Sequence, residues 1–509
     1  MQNNTYLSLF SGIESASIAL HKLNYEALGF AEIAPFASKV LAHHYPNTPN
    51  FGSITSDEFV EKVKDLRPKI LIGGSPCQAF SLAGLRQSLS DFKDRGNLTL
   101  RFIQIADLVQ APIVMWENVT GILNTKDNAF GRFLTAIAED NPTETNVLIP
   151  KGKTWARAGY IEGDKRLIAW RTLNSRFFKT AQNRERVFLI AVSKEYVKQH
   201  PDAHPLLSLF EIMNEKPNFK KDKNENEEGV FCTSQDITPR ALYSKYAYTL
   251  RAGNHGVNTI MSETTGKLHS LSAEEMEQLM GVEQGYTAIP DAKTAQRAFV
   301  LGNSFVSHII EYMASQLETS KDLTMLDSIH QIINPTNEEN AVFEYTKPLS
   351  FEYNNQTLWL HGEDRNKDFN GGKEILLTDI VDKYNPKGKE LSIKNTMGIM
   401  DRINRKILHK GNIKPKALIA ISRINNNICD YLLKSKLTKT THLYNIEIGF
   451  LIRWAKEKNL TDIVNQLEKL YDNPIDENGS ANMNKEGAKR SYRVVELDTD
   501  LVKQILTGS

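Results

Sequence analysis

Residues able to do chemistry are unevenly spread along this chain. The stretch "GGSPCQAFSLAG", residues 73–84, sets Cys77 between Pro76 and Gln78, directly after the apolar run Lys69 to Ile72. Cys77 is one of three cysteines in 509 residues. A thiolate is a good nucleophile near neutral pH, and a rigid turn at a strand's end fixes its direction of attack. The competing reading of a lone thiol is a buried structural cysteine. Ser11-Gly12, Ile33-Ala34 and Glu117-Asn118 also follow apolar runs. A carboxyl group such as Glu117 can deliver a proton where a dry pocket raises its pKa. Its bland alternative is a helix cap, for which Asn118 is better suited. Arg184 and Arg186, in "QNRERVF", alternate along an expected strand and so are expected on one face.

The elements that must hold these residues follow from hydrophobic patterning. Apolar runs at Tyr6–Phe10, Ala27–Glu32, Lys69–Ile72, Ile113–Trp116 and Arg186–Val192 read as strands alternating with amphipathic helices. That alternation predicts an α/β fold with a mainly parallel sheet. Ligands of open α/β sheets bind beyond the carboxyl ends of the strands. The reactive positions are therefore expected to converge on one crevice.

After Val192 the pattern breaks. Asn214 to Gly229, "NEKPNFKKDKNENEEG", is almost without apolar residues and reads as a flexible connection. A compact stretch, Val230–Ser262, precedes a helical segment, Ser272–Met280, and "LGNSFVSHIIEYMASQL" returns to an amphipathic helix. From about Lys321 the composition turns rich in Asn and Lys, with no internal repeat.

The length predicts two or more domains. A formal net charge of +1 excludes a polycation, so any nucleic-acid surface must come from local clustering. One cluster exists: Lys383 to Lys439 holds fourteen Lys/Arg against three Asp/Glu. Cys77, Cys232 and Cys429 form no CxxC pair and no HExxH occurs, which argues against a disulfide framework and a metal site. No apolar run is long enough to span a bilayer, and Met1-Gln2-Asn3-Asn4 does not open a signal peptide. A cytoplasmic enzyme is the expectation.

The ordered set "FSG", "SPCQAFS", "ENV", "QNRERVFLIA" and "LGNS" resembles the DNA (cytosine-5)-methyltransferase family of bacterial or phage type, over roughly residues 5–318. The resemblance implies a Rossmann-like, S-adenosylmethionine-dependent methyltransferase domain with a small target-recognition region. To this the chain adds a C-terminal domain with mixed α+β signals. The expected division is 1–193 catalytic, 194–267 target recognition, 268–318 returning to the catalytic domain, and 319–509 additional. The implied reaction moves a methyl group to carbon 5 of a cytosine flipped from duplex DNA. Carbon 5 is a poor nucleophile until a thiolate adds to carbon 6, and a base inside the stack is out of reach.

By this resemblance Cys77 is the nucleophile, Glu117 meets ring nitrogen 3, and Arg184 and Arg186 stand beside the base. The donor falls to Phe10, Gly12, Glu32, Ser53, Pro76, Leu98 and Asn303. The loop after the cysteine supplies Gln78, Ser81, Arg86 and Arg95 as DNA contacts and closes over the flipped base. The reader supplies Arg240, Thr249, Leu250, Arg251 and Asn254, with Lys245 and His255 as further polar groups. Several positions depart from the family pattern: Ser8, Glu14, Ser15, Ser53, Asn183 and His269. The implied partner is double-stranded DNA bound by a monomer, with no membrane and no metal. The setting is the cytoplasm of a prokaryotic or phage-infected cell, where a cognate restriction enzyme would be a further partner.

Two rivals stand beside this reading. RNA-acting relatives usually carry Cys-Phe-Thr in the reading region, whereas here Cys232 is followed by Thr233 and Ser234. A silent DNA-binding scaffold would have no need of Cys77 and Glu117. The reader interval is short, and "KTWARAGYIEGDKRLIAWRTLN" has no assignment beyond DNA contact. In the C-terminal region Met400, Ile403 and Ile407 form an apolar stripe, with Arg402, Arg405 and Lys406 mostly elsewhere. That pattern suits a DNA-gripping helix or a solvated basic face.

Overall fold

The computed structural model describes residues 4–76, 98–216, 229–233, 242–252, 258–262, 265–319, 322–333, 342–345, 347–362, 374–381, 383, 390–407, 415–434, 440–472 and 493–507. The chain divides into two units. The first comprises residues 1–222, 249–254 and 273–376, and the second 223–248, 255–272 and 377–509.

The first unit is built on strands β1 (Thr5–Leu9), β2 (Glu26–Ala31), β3 (Ile70–Gly73), β4 (Ile113–Val119), β5 (Ala158–Glu162), β6 (Arg166–Asn174), β7 (Gln182–Asn183) and β8 (Glu185–Ser193). Its main sheet runs β2-β1-β3-β4-β8-β6-β5 and ends with Phe343–Tyr345. The pairings from β2 to β4 are parallel, and those from β4 onward are antiparallel. All five expected strands are present. The chain leaves β1 for β2 on one side and returns to β3 on the other, so the order reverses between β1 and β3. Such a reversal opens a crevice beyond the carboxyl ends of the two strands.

β1 and β3 are buried throughout, as runs of Leu, Ile and Tyr covered on both faces must be. Behind the crevice, Trp116 stacks on Phe133 with ring centroids 4.2 Å apart. Phe130 and Trp155 pack edge-on against Trp170 in the same core. "KTWARAGYIEGDKRLIAWRTLN" contains the β5–β6 hairpin; all nine residues of β6 are buried, while Lys153, Thr154 and Arg157 ahead of it are exposed.

Residues beyond 319 are shared between the units. Phe343–Tyr345 extends the main sheet, while Leu349–Tyr353 and Gln356–His361 form a small sheet with Glu211–Met213. In the second unit, Val230–Thr233, Tyr243–Ser244, Thr259–Met261 and Leu268–Ser270 make an antiparallel sheet. Helices Ile393–Ile407, Pro415–Lys434, Asn445–Glu457 and Thr461–Leu470 accompany it. One core joins them: Phe231, Leu242, Met261 and Leu268 cluster with Met397, Met400, Ile403, Ile424, Ile428 and Phe450. Main-chain bonds cross the same seam, from Leu391 N–H to the Leu268 carbonyl (2.9 Å) and from Leu377 N–H to the Lys245 carbonyl (2.7 Å).

No helix among the described residues is long and apolar enough to cross a membrane. Among them, no group of three or more His, Cys, Asp or Glu is placed to hold a metal ion.

Candidate active site

Cys77 lies outside the described residues, and so do Gln78, Ser81, Arg86, Arg95, Arg240, Asn254 and His255. The residues just before Cys77 are held from several sides. The Ser75 hydroxyl is met by Thr99 Oγ1 and by the indole N–H of Trp116, each at 3.0 Å. Asn118 Nδ2 donates to the Ser75 carbonyl at 3.0 Å, and Thr99 reaches the exposed Pro76 through its carbonyl at 3.3 Å. Leu98 opens the helix Leu98–Leu108 that carries Thr99 and packs on the core. Gly74 has no room for a side chain, since a Cβ would come within 2.8 Å of the Phe305 ring. The turn before Cys77 is thus pinned by the Leu98–Leu108 helix and by β4, with the Phe305 ring packed close to it.

Glu117, on the next strand, presents its carboxylate 3.2 Å from Arg186 Nε, with the two side chains only 13% and 15% exposed. Burial raises the Glu117 pKa, and the charges of Arg186 and then Arg184 oppose the rise. Burial lowers the pKa of Arg186, and Glu117 counters it. A carboxyl held this way can stay protonated where an exposed one would not.

Arg184 is more deeply buried than Arg186, and both charges act on Glu117. Arg184 sits in the break between β7 and β8, fully enclosed, and its guanidinium is spent on main-chain carbonyls. Nη1 donates to Leu250 O at 2.9 Å and Nη2 to Ser304 O at 2.9 Å; both reach Gly302 O at 3.3 Å. Burial, then the charge of Arg186, pulls its pKa down to about 9. Gln182 completes the brace, accepting from Leu250 N–H at 2.7 Å and donating to Leu279 O at 2.8 Å.

Thr249 and Leu250 are therefore anchors: the Thr249 hydroxyl donates to the Asn183 carbonyl at 2.6 Å, and Leu250 is buried. Arg251 beside them is exposed, and its charge is felt by Arg186. Gly302 lets this segment come close, for a Cβ there would fall 2.5 Å from Ala252 N. Asn303, next along, is exposed.

The loop after β1 forms the other side of the crevice. Phe10, Gly12 and Glu14 all have left-handed backbones, at φ 55°, 57° and 62°. Two of the three are not glycine, a costly arrangement that tends to persist at working sites. Gly12 faces open space, with nothing within 4 Å of where a Cβ would stand. Its N–H donates to Glu32 Oε2 at 2.8 Å, and Glu32 Oε1 accepts from the N–H groups of Ile33 and Ala34 at 2.8 and 2.6 Å.

The departures at Glu14 and Ser8 have a local explanation. Glu14 caps the helix Ser15–Leu20, accepting from Ser17 N–H at 3.2 Å and from its hydroxyl at 3.1 Å. Enclosed at 0% exposure, its pKa is raised by burial to about 7, with the hydroxyls of Ser8, Ser17 and Ser11 opposing the rise. Ser53 turns inward on its own bend, its hydroxyl bonded to Thr55 Oγ1 at 2.9 Å. His269 is buried in the second unit. The enclosed arginine of this part of the sequence is Arg297, paired with Glu274 and Glu277 at 2.9 Å each.

Sequence reasoning placed Ile33 at a strand's end without giving it a role, and it missed Asn50. Ile33 is 72% exposed directly after Glu32, a large apolar side chain in water at a strand's end. Asn50 accepts from Glu32 N–H at 3.0 Å and donates to its carbonyl at 3.1 Å. For Ile33 the available signal was position, beside a carboxylate at a strand's end; Asn50 lies 18 residues from Glu32 and carried no local signal.

The chain resembles known proteins over the same region. The family model for C-5 cytosine-specific DNA methylase matches residues 4–248. The DNA N-6-adenine-methyltransferase of Escherichia phage P1 is 37% identical over 273 residues, 48% of this chain and 35% of that protein. The orphan methyltransferase M.SPRI of Bacillus phage SPR is 32% identical over 196 residues, 38% of each chain. The type II methyltransferase M.AquIA of Picosynechococcus sp. is 32% identical over 191 residues, 36% of this chain and 70% of that protein. The chain spans little more than a third of the length of the two phage relatives.

Proposed function

The chain belongs to the C-5 cytosine-specific DNA methylase family, and from that membership we propose that it methylates carbon 5 of cytosine in duplex DNA through a covalent adduct on Cys77. The observation that carries the proposal is the enclosed Glu117 carboxyl, held 3.2 Å from Arg186 beside the pinned turn that leads into Cys77. The cytosine leaves the stack first, because its carbon 6 is inaccessible within the helix. The Cys77 thiolate adds to carbon 6 while Glu117 gives a proton to nitrogen 3, and carbon 5 becomes nucleophilic. Arg186 fixes the carboxyl, and Arg184 fixes the segments around it. Once carbon 5 carries its methyl group, a base (solvent water suffices) takes the carbon 5 proton, the thiolate leaves carbon 6, and the nitrogen 3 proton returns to Glu117, which restores the ring and the enzyme.

S-adenosylmethionine, when bound, supplies an electrophilic methyl group on its sulfonium. The residues of the β1–β2 side fit it. Gly12 offers open backbone for the amino-acid part, and Ile33 and Phe10 offer apolar surface for adenine. An ionised carboxylate has about four acceptor sites, and the three backbone donors on Glu32 leave room for a ribose hydroxyl. Asn303 serves the amino-acid end. Catalytic work is assigned to 1–193 with 268–318, and target reading to 194–267, including Arg251.

Incubation with labelled S-adenosylmethionine and genomic DNA, followed by base mapping, tests this reading. Label on cytosine carbon 5 is expected. Label on adenine N6, the position named for the phage P1 relative, would overturn it, as would transfer to RNA alone.

A further inference from the structure

Ser75 stands two residues before Cys77 and is held by both neighbours of Glu117. Trp116 and Asn118 flank Glu117 on β4 and, two residues apart, point to the same side of the strand. The Trp116 indole N–H donates to the Ser75 hydroxyl at 3.0 Å, and Asn118 Nδ2 donates to the Ser75 carbonyl at 3.0 Å. Asn118 Oδ1 accepts from Val119 N–H at 2.8 Å, which fixes the orientation of that amide. A third bond comes from the Leu98–Leu108 helix. There the single Thr99 hydroxyl hydrogen is shared between Ser75 Oγ at 3.0 Å and the Pro76 carbonyl at 3.3 Å. Ser75 Oγ thus accepts two bonds, which uses both of its lone pairs. Ser75, Thr99, Trp116 and Asn118 are all buried.

We propose that Ser75 is a positioning residue that sets the separation between the Cys77 turn and the Glu117 carboxyl. This rests on cytosine methylation through Cys77. In that reaction the thiolate adds to carbon 6 while the acid meets nitrogen 3, at opposite corners of one rigid ring. Neither group can shift without the other, and a misplacement of about 1 Å can cost about a hundredfold in rate. β3 and β4 are paired only as far as Gly73 and Trp116, so beyond that point the main-chain ladder no longer sets the register of the two strand ends. The Ser75 bonds take over there. Packing alone asks for no hydroxyl at this place, since the surrounding core is apolar, with Leu100, Phe102, Trp116 and Phe133 among its members. A buried polar group adds little net stability once its desolvation is counted. What a satisfied buried network adds is a single geometry.

Single-turnover methyl transfer by the full-length protein, on duplex DNA carrying the mapped target, tests this in Ser75→Ala. The rate constant should fall about tenfold, with donor affinity by calorimetry and duplex affinity by anisotropy within about twofold of wild type. The same substitution made on Glu117→Gln should cost less than about a further threefold, because alignment with an absent proton donor no longer counts. A residue that only supports the fold would give equal fractional losses in both backgrounds, or a lower melting temperature with full rate. Either result in a folded Ser75→Ala protein would overturn the proposal. Ser75→Ala strands the Trp116 N–H, so Thr99→Val is the second variant, leaving both β4 bonds in place. It should lose about threefold in rate, one hydrogen bond's worth, and Thr99→Ser, which keeps the hydroxyl, should recover that loss. Should Ser75→Ala fail to fold, an unchanged rate in Thr99→Val would overturn the proposal. A wild type that moves no methyl group to cytosine would sink the proposed function and this inference together, whereas with an active wild type the variant ratios decide Ser75 alone.

Discussion

Glu117 and Arg186 meet diagonally across two antiparallel strands. In register Val119 faces Arg186 and Glu117 faces Phe188, yet the Arg186 guanidinium reaches back to the Glu117 carboxylate at 3.2 Å. That diagonal gives an acid whose burial raises its pKa, against the charge of the arginine that holds its aim.

Glu117→Gln retains the side chain's shape and hydrogen bonding but cannot deliver a proton. Methyl transfer at saturating donor should fall about a hundredfold or more, while donor affinity by calorimetry stays unchanged. Near-normal turnover would place the proton on another group.

Arg186→Ala should shift the pH profile as well as slow the reaction. The Arg186 charge favours the ionised form of Glu117, so its removal raises that pKa further. Transfer needs the protonated carboxyl, so the loss of rate with rising pH should move to higher pH. A limb that stays put, or moves down, would contradict the coupling.

Arg184→Met should act through the fold. It strips the charged donor from the buried carbonyls of Leu250, Gly302 and Ser304. The expected loss is on the order of 3 kcal/mol, read as a lower melting temperature. Full stability with lost activity would instead put Arg184 on the base.

Glu14 predicts a pH-dependent stability. In the unfolded chain its carboxyl ionises near the ordinary 4.5, but folded it holds its proton to about 7. The folded pKa is the higher one, so its contribution is complete below 4.5 and is lost as pH rises through 7. The change across that window is on the order of 3 kcal/mol. Glu14→Gln should flatten this part of the curve in urea denaturation, because an amide oxygen can still cap Ser17. Parallel curves for the two proteins would refute the assignment.

The parallel half of the fold was legible because its strands are unbroken apolar runs. The β5–β6 hairpin was not, because buried charges disguise it. Arg166 pairs with Asp107 at 2.7 Å, and Arg171 donates to Leu209 O at 3.0 Å inside the core. Motif order located Glu117 and Glu32, but no local pattern showed that Arg184 is enclosed and spent on the carbonyls of Leu250, Gly302 and Ser304. The stripe of Met400 and Ile403 was visible as apolar spacing. Its partners Phe231 and Leu268 stand more than a hundred residues upstream, a pairing no local pattern encodes. That pairing also bears on design, since cutting the chain after about Leu317 would strip the core from the 223–272 sheet.

The central claim is that Cys77 forms a covalent bond to carbon 6 of an extruded cytosine. Duplex DNA with 5-fluorocytosine at the mapped target, incubated with the full-length protein and S-adenosylmethionine, tests it by mass spectrometry, because elimination requires loss of a hydrogen that fluorine replaces. The account predicts a stable protein–DNA adduct on the peptide containing Cys77, absent from Cys77→Ala. An adduct that persists in Cys77→Ala, or methyl transfer to cytosine without any trapping, would contradict it.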